Sequence, residues 1–125
     1  MGELMTIKNI GFIGLGAMGS VMAPLIVKSG YNVYGYDIKA NIDKSSGINQ
    51  VQDIKELSSL DAIIFMLPNG KIVSDMAIKL LEMNLKSVFI DMSSSDPRET
   101  QELGKKLKNK DIKFLDAPVS GGVAR

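Results

Sequence analysis

The sequence predicts an α/β fold, a doubly wound, mostly parallel sheet of about six strands. Three observations predict it. A glycine string, Gly14-Leu15-Gly16-Ala17-Met18-Gly19, joins an apolar run at 8–13 to a segment of helical spacing. An acidic residue, Asp37, closes a second strand-like run, about 20 residues beyond the glycines. Strand-like runs and helical patterns then alternate to the end of the chain, the order that builds a parallel sheet.

The first element, 8–13, is a short apolar run ending in glycine and suits a strand buried on both faces. From Met18 the apolar residues fall at Met18, Val21, Met22, Leu25 and Ile26, which is helical spacing. A G-x-G-x-x-G string between a strand and a helix is the context in which it binds a dinucleotide. Gly14 allows the tight turn, Gly16 lets a pyrophosphate approach the backbone, and Gly19 lets the helix pack closely on the strand. The helix start adds unpaired N–H groups and a positive dipole end. The second strand runs over 31–36. At its end Asp37 is placed to accept from the adenosine ribose hydroxyls, and it can equally cap the segment starting at Lys39.

A short helix is expected over 38–46, closed by Gly47 in the left-handed conformation. Residues 48–52 form a short third strand. Asp53 and Glu56 have capping-box spacing and open a brief helix through Leu57, which Ser58 and Ser59 end. The run 61–67 is the clearest buried strand, broken by Pro68-Asn69-Gly70. Ile72, Val73, Met76, Leu80 and Met83 mark a helix face, with Asn84 as the stop. A fifth strand covers 86–91 and a polar turn follows at 92–95. Asp96, Pro97 and Glu99 start a helix that runs to about Lys108 with Leu103 and Leu107 inward. The sixth strand is 112–115.

A chain of 125 residues with 45% hydrophobic and 23% charged residues is one globular domain, 1–125. A net charge of +1 without like-charge blocks leaves no footprint for nucleic acid or an anionic membrane. No apolar run is long enough to span a bilayer. The absence of cysteine excludes thiol chemistry and fits a cytoplasmic location. The absence of histidine removes the commonest general base and metal ligand, and no metal site is expected. The loops at 14–19, 67–70, 93–95 and 117–122 all leave strand ends on one edge, where open parallel sheets bind ligands. Taken singly, the serine triplet and Pro-Asn-Gly read as ordinary turn chemistry.

Together the loops resemble the β-hydroxyacid dehydrogenases. That family includes 3-hydroxyisobutyrate dehydrogenase and tartronate semialdehyde reductase, and is related to 6-phosphogluconate dehydrogenase. The resemblance rests on the glycine string with Met18, Met22-Ala23, the run from Asp61 to Met66-Leu67-Pro68-Asn69, Ile90-Asp91-Met92-Ser93-Ser94, and Asp116-Ala117-Pro118-Val119-Ser120-Gly121-Gly122. It implies that Gly14, Leu15, Gly16, Ala17, Met18 and Gly19 hold the pyrophosphate and Asp37 the ribose. Leu67 and Pro68 would pack beside the cofactor, and Ser94 would lie near the nicotinamide ribose. Ser120, Gly121 and Gly122 would bind the substrate carboxylate. The cofactor implied is NAD in preference to NADP, and the substrate a small 3-hydroxy acid or its semialdehyde.

Three departures qualify the resemblance. Pro24 lies inside the first helix, where a kink is expected. Leu25 stands where the family usually has asparagine. The family's catalytic lysine belongs to a later helix, beyond Arg125, that leads into a helical second domain. The expectation is therefore a cofactor-binding part that ends before its last strands, has no catalytic residue of its own, and binds cofactor without turnover. An exposed apolar surface toward the carboxyl-terminal side, with self-association, is expected as well. The rival readings are a stand-alone dinucleotide-binding module and the cofactor half of an imine reductase or 6-phosphogluconate dehydrogenase relative.

Overall fold

The computed structural model describes residues 7–15, 17–37, 47–57, 59–67, 70–81, 87–93, 97–110 and 112–117. Strand β1 (Asn9–Ile13) leads into helix α1 (Ala17–Lys28), followed by β2 (Asn32–Tyr36) and the two-residue β3 (Asn49–Gln50). A 3-10 turn at Ile54–Leu57 precedes β4 (Ala62–Phe65). Helix α2 (Gly70–Leu81), β5 (Val88–Asp91), α3 (Pro97–Lys108) and β6 (Phe114–Asp116) complete the order. The six strands form one sheet in the order β3-β2-β1-β4-β5-β6, and every pair is parallel. The order reverses between β1 and β4, which is the switch point of the fold.

Side-chain alternation along the strands divides the core into two layers. On one face Ile13, Ile63, Phe65 and Phe89 pack with Val73, Met76, Ala77 and Leu80 of α2 and with Leu103 and Leu107 of α3. There the Phe65 and Phe89 rings meet edge to face with centroids 5.3 Å apart. On the other face Ile10, Phe12, Val33 and Ile64 pack with Ala23 of α1. Helices thus cover both faces, as a doubly wound sheet requires. The second face thins outward along one register row. Phe12 pairs with Ile64, Ile64 with Ile90, and Ile90 with Leu115. Phe12 is fully buried, while Leu115 on the outer strand is 56% exposed. Leu115 is the exposed large apolar residue of this row among the described residues; residues 118–125, where the expected apolar surface would continue, lie outside them.

Local chemistry accounts for the element ends. Glu56 accepts from the Asp53 N–H at 3.1 Å, which is the returning half of the predicted capping box, while Asp53 caps one residue earlier than the box requires, accepting from the Lys55 N–H at 3.0 Å. Gly47 has φ +79, as expected for the left-handed position. The segment 38–46, Met83 and Asn84 lie outside the described residues.

Several expectations need correction. Helix α1 does not bury the whole Val21–Met22–Leu25–Ile26 stripe, because Val21 is 60% and Leu25 56% exposed. Its inward face is Gly19, Ala23, Met22, Ile26 and Val27. Small residues bring the helix axis close to the sheet and rotate the larger apolar residues at 21 and 25 outward. The third strand shrinks to Asn49–Gln50, and the fourth to Ala62–Phe65. The sixth begins two residues later than the apolar run suggests, because Ile112 caps α3 first: its N–H donates to the Leu107 carbonyl at 3.0 Å.

At the edge where the strands begin, Asp61 ties β4 to β1. Its Oδ2 accepts the Asn9 N–H at 2.9 Å and the Lys8 N–H at 3.0 Å. Those two bonds, first from Asn9 and then from Lys8, hold the carboxyl below its ordinary pKa, with the Lys8 charge adding and burial opposing.

Candidate functional site at the carboxyl edge of the sheet

The strand exits on the carboxyl edge are stitched together by a staircase of backbone bonds. Val51 donates to Gly35, Gly14 to Tyr36, Met66 to Ile13, Met92 to Phe65 and Ala117 to Asp91, all at 2.8–3.0 Å. Five of the six strands therefore deliver their following loops to one level, on both sides of the switch point.

Gly14 is where β1 leaves the sheet. It has φ +98, and a Cβ there would sit 2.1 Å from the Met66 carbonyl oxygen. Only glycine satisfies both conditions. The next residue, Leu15, donates its N–H to Asp37 Oδ2 at 2.6 Å. Asp37 thus has a structural task that the sequence left open: it crosses from the end of β2 to hold the glycine loop. Its expected capping of the segment after Lys39 falls outside the described residues.

Gly19 lies in the first turn of α1, directly over the loop. A Cβ there would stand 2.1 Å from the Gly14 carbonyl oxygen and 3.1 Å from the Phe12 ring. The close helix–strand approach expected of the third glycine is what the structure shows. Ala17 and Met18 occupy the first turn of α1, whose N-terminus opens at this edge. Gly16 lies outside the described residues.

On the other side of the switch point Leu67 follows β4 and is half-buried. Its N–H donates to Ser93 Oγ at 2.7 Å. Ser93 is buried, its own N–H donates to Asp91 Oδ1 at 2.9 Å, and its hydroxyl also reaches the Phe65 carbonyl at 3.3 Å. Asp91 is itself buried, at 1% exposure. Sequence reading singled out Ser94 from the serine triplet and passed over Ser93. The signal was the Asp91-x-Ser93 spacing, which forms an Asx turn here. Pro68, Ser94, Ser120, Gly121 and Gly122 lie outside the described residues. The structure thus brings Gly14, Leu15, Gly19, Asp37 and Leu67 to one edge. Among the described residues no group of three metal-binding side chains forms, and no helix is long and apolar enough to cross a membrane.

A parallel sheet in this order, with a glycine turn and a helix N-terminus at its switch point and a carboxylate at the end of the second strand, defines a dinucleotide-binding domain. The comparisons agree. The family described as the NAD binding domain of 6-phosphogluconate dehydrogenase matches residues 9–125, and the chain belongs to it. Its cofactor class is therefore a nicotinamide dinucleotide. The mitochondrial 3-hydroxyisobutyrate dehydrogenase of Drosophila melanogaster is 39% identical over 122 residues, covering 93% of this chain and 38% of that protein. The 2-(hydroxymethyl)glutarate dehydrogenase of Eubacterium barkeri is 38% identical over 122 residues, covering 91% of this chain and 40% of that protein. The solved structure of Mycobacterium tuberculosis 3-hydroxyisobutyrate dehydrogenase with L-serine superposes with a TM-score of 0.87 at 30% identity, covering 94% of this chain and 42% of that one. An imine reductase from Myxococcus stipitatus in complex with NADP+ has a TM-score of 0.80 at 16% identity, which shows the shared fold alone. The chain thus spans about two fifths of the curated relatives it matches.

Proposed function

We propose that this chain is the NAD-binding half of an oxidoreductase that moves hydride between a nicotinamide cofactor and a small 3-hydroxy acid or its semialdehyde. The observation that carries the reading is the glycine turn at the switch point, closed on the Met66 carbonyl at Gly14 and held by Asp37 through the Leu15 N–H. The fit can be judged from this cradle. Gly14 closes the turn against the Met66 carbonyl, Gly19 seats α1 against the turn, and the N-terminus of α1 opens at the same edge. The residues present fit a dinucleotide.

In this reading the turn at 14–19 and the first N–H groups of α1 bind the pyrophosphate. Asp37 accepts from the adenosine ribose while bracing the loop. Leu67 and Pro68 wall the cofactor and exclude water. Ser94 orients the nicotinamide ribose, and Ser120 with the Gly121 and Gly122 backbone anchors the substrate carboxylate. When bound, the nicotinamide ring supplies the hydride chemistry. The hydroxyl proton needs a base that reaches the carbinol oxygen. The chain has no histidine, and Asp91 is buried against the Ser93 N–H. The chain by itself is therefore expected to bind cofactor without turnover.

Asp37 sets the cofactor preference, because a carboxylate repels a 2′-phosphate and accepts from a free 2′-hydroxyl. Calorimetric titration of the chain should show NAD binding more tightly than NADP. Asp37→Asn keeps an oxygen to accept from Leu15 but loses the charge, so the gap should narrow. Tighter binding of NADP to the parent chain would refute the assignment. Steady NADH production from NAD and 3-hydroxyisobutyrate by this chain alone would refute the absence of turnover.

A further inference from the structure

A parallel strand sends successive N–H groups alternately to its two neighbours. Both strands at the switch point depart from or extend that rule at their exits. On β1, Gly14 donates to β2 at Tyr36, so Leu15 should turn toward β4. It does not. The left-handed φ of Gly14 swings the chain, and the Leu15 N–H also goes to the β2 side, to Asp37 Oδ2. On β4, Met66 donates to β1 at Ile13 and Leu67 to the β5 side, at Ser93 Oγ. The Ser93 hydroxyl takes the place that a backbone carbonyl would hold in a continued ladder. The two loops are therefore drawn apart, one toward β2 and the other toward β5, starting one residue beyond the close contact of Gly14 with Met66.

We propose that Ser93 is a positioning residue for the cofactor: by holding the Leu67 N–H against β5 it keeps the β4 exit clear of the crevice between β1 and β4. The inference rests on the reading of this edge as the dinucleotide site. Ser93 is well placed for the task. It is 2% exposed, so its hydroxyl does not exchange this bond for water. The Asx turn from Asp91 fixes its backbone, and the contact to the Phe65 carbonyl orients its hydroxyl so that a lone pair meets Leu67. Phe65 also accepts from the Met92 N–H at 2.9 Å, so loss of the hydroxyl leaves that carbonyl paired and deprives Leu67 alone. A crevice formed in advance spares the cofactor the ordering of this loop.

Three variants of the chain test the proposal, with amide exchange at Leu67 and NAD calorimetry as readouts. In Ser93→Ala the Leu67 amide should lose protection, and NAD should bind about tenfold more weakly, as expected for one hydrogen bond. Ser93→Cys, similar in shape with a weaker acceptor, should fall between Ser93→Ala and the parent, and covers the case in which the alanine variant does not fold. Ile112→Val, a mild core change between α3 and β6, at the end of the sheet away from the site, should lower the melting temperature and leave the NAD affinity unchanged. Undiminished NAD affinity in the folded Ser93 variants would overturn the proposal. So would an equal loss in Ile112→Val, which would make the effect one of general destabilisation. If the parent chain binds no dinucleotide, the functional reading fails and the positioning role fails with it. Loss of Leu67 protection would then report a purely structural tie.

Discussion

Single carboxylates do different work at the two edges of this sheet. Asp37, on the carboxyl edge, accepts one loop N–H at the site. Asp61, on the opposite edge, accepts two N–H groups from one strand and has its pKa lowered by them. A carboxyl whose folded pKa lies below its unfolded value stabilises the fold above the unfolded pKa, and the contribution disappears as pH falls through the folded value. Asp61→Asn should therefore cost about 1 kcal/mol or less at neutral pH, roughly one net hydrogen bond. The gap to the parent should begin to shrink as pH drops below about 4, where the unfolded carboxyl protonates, and close at lower pH as the folded carboxyl protonates too. Melting curves at pH 7 and pH 3 check this, and a gap that widens on acidification would contradict it. Neither this tie nor the one at Ser93 was legible in the sequence. Asp61 reads as the start of an apolar run and Ser93 as one of three serines in a turn. The Asp61 tie and the Ser93–Leu67 tie form only when segments 26 or more residues apart in the chain lie side by side, and only the turn from Asp91 to Ser93 is local. Gly14 and Asp37 were legible, because their spacing encodes a local βαβ geometry that varies little.

Among the elements, helix α1 shows how far a periodic pattern reaches. Its existence and its start follow from spacing and from the glycine string, and it runs through Pro24 to Lys28. Its buried face does not follow, because a large apolar residue scores as core wherever it falls. Here the small Gly19 and Ala23 decide the approach, and Val21 and Leu25 are left outward. Helices α2 and α3 meet the sheet through larger side chains, and their faces were read correctly at Val73, Met76, Leu80, Leu103 and Leu107. The close approach of α1 predicts a large effect from a small change. Gly19→Ala places a methyl 2.1 Å from the Gly14 carbonyl, and the helix must lift from the sheet. Overpacking of this kind costs about 1–3 kcal/mol, or a fall in melting temperature of about 4–15 °C in a domain this size. An unchanged melting temperature would show that the helix sits further from β1.

For the whole molecule, the order of strands and helices was legible because each element is short, strongly patterned and bounded by glycine, proline or a cap. An alternating order leaves few sheet topologies open, since parallel crossovers keep one hand. What the pattern could not supply was the depth of cover on each face, and hence the exposure of Leu115, which depends on which helices lie over which strands. The topology also places the whole candidate site on one edge, with Asp61, Lys8 and Asn9 on the other. That separation offers the most direct test of the central claim, that the carboxyl edge at the β1–β4 switch point binds a dinucleotide. NAD titrated into the nitrogen-15-labelled chain should shift the amide resonances of Leu15, Gly19, Asp37 and Leu67 together, with one saturation curve. The resonances of Lys8, Asn9 and Asp61 should stay in place. Shifts confined to the opposite edge, or none at saturating NAD, would contradict the account.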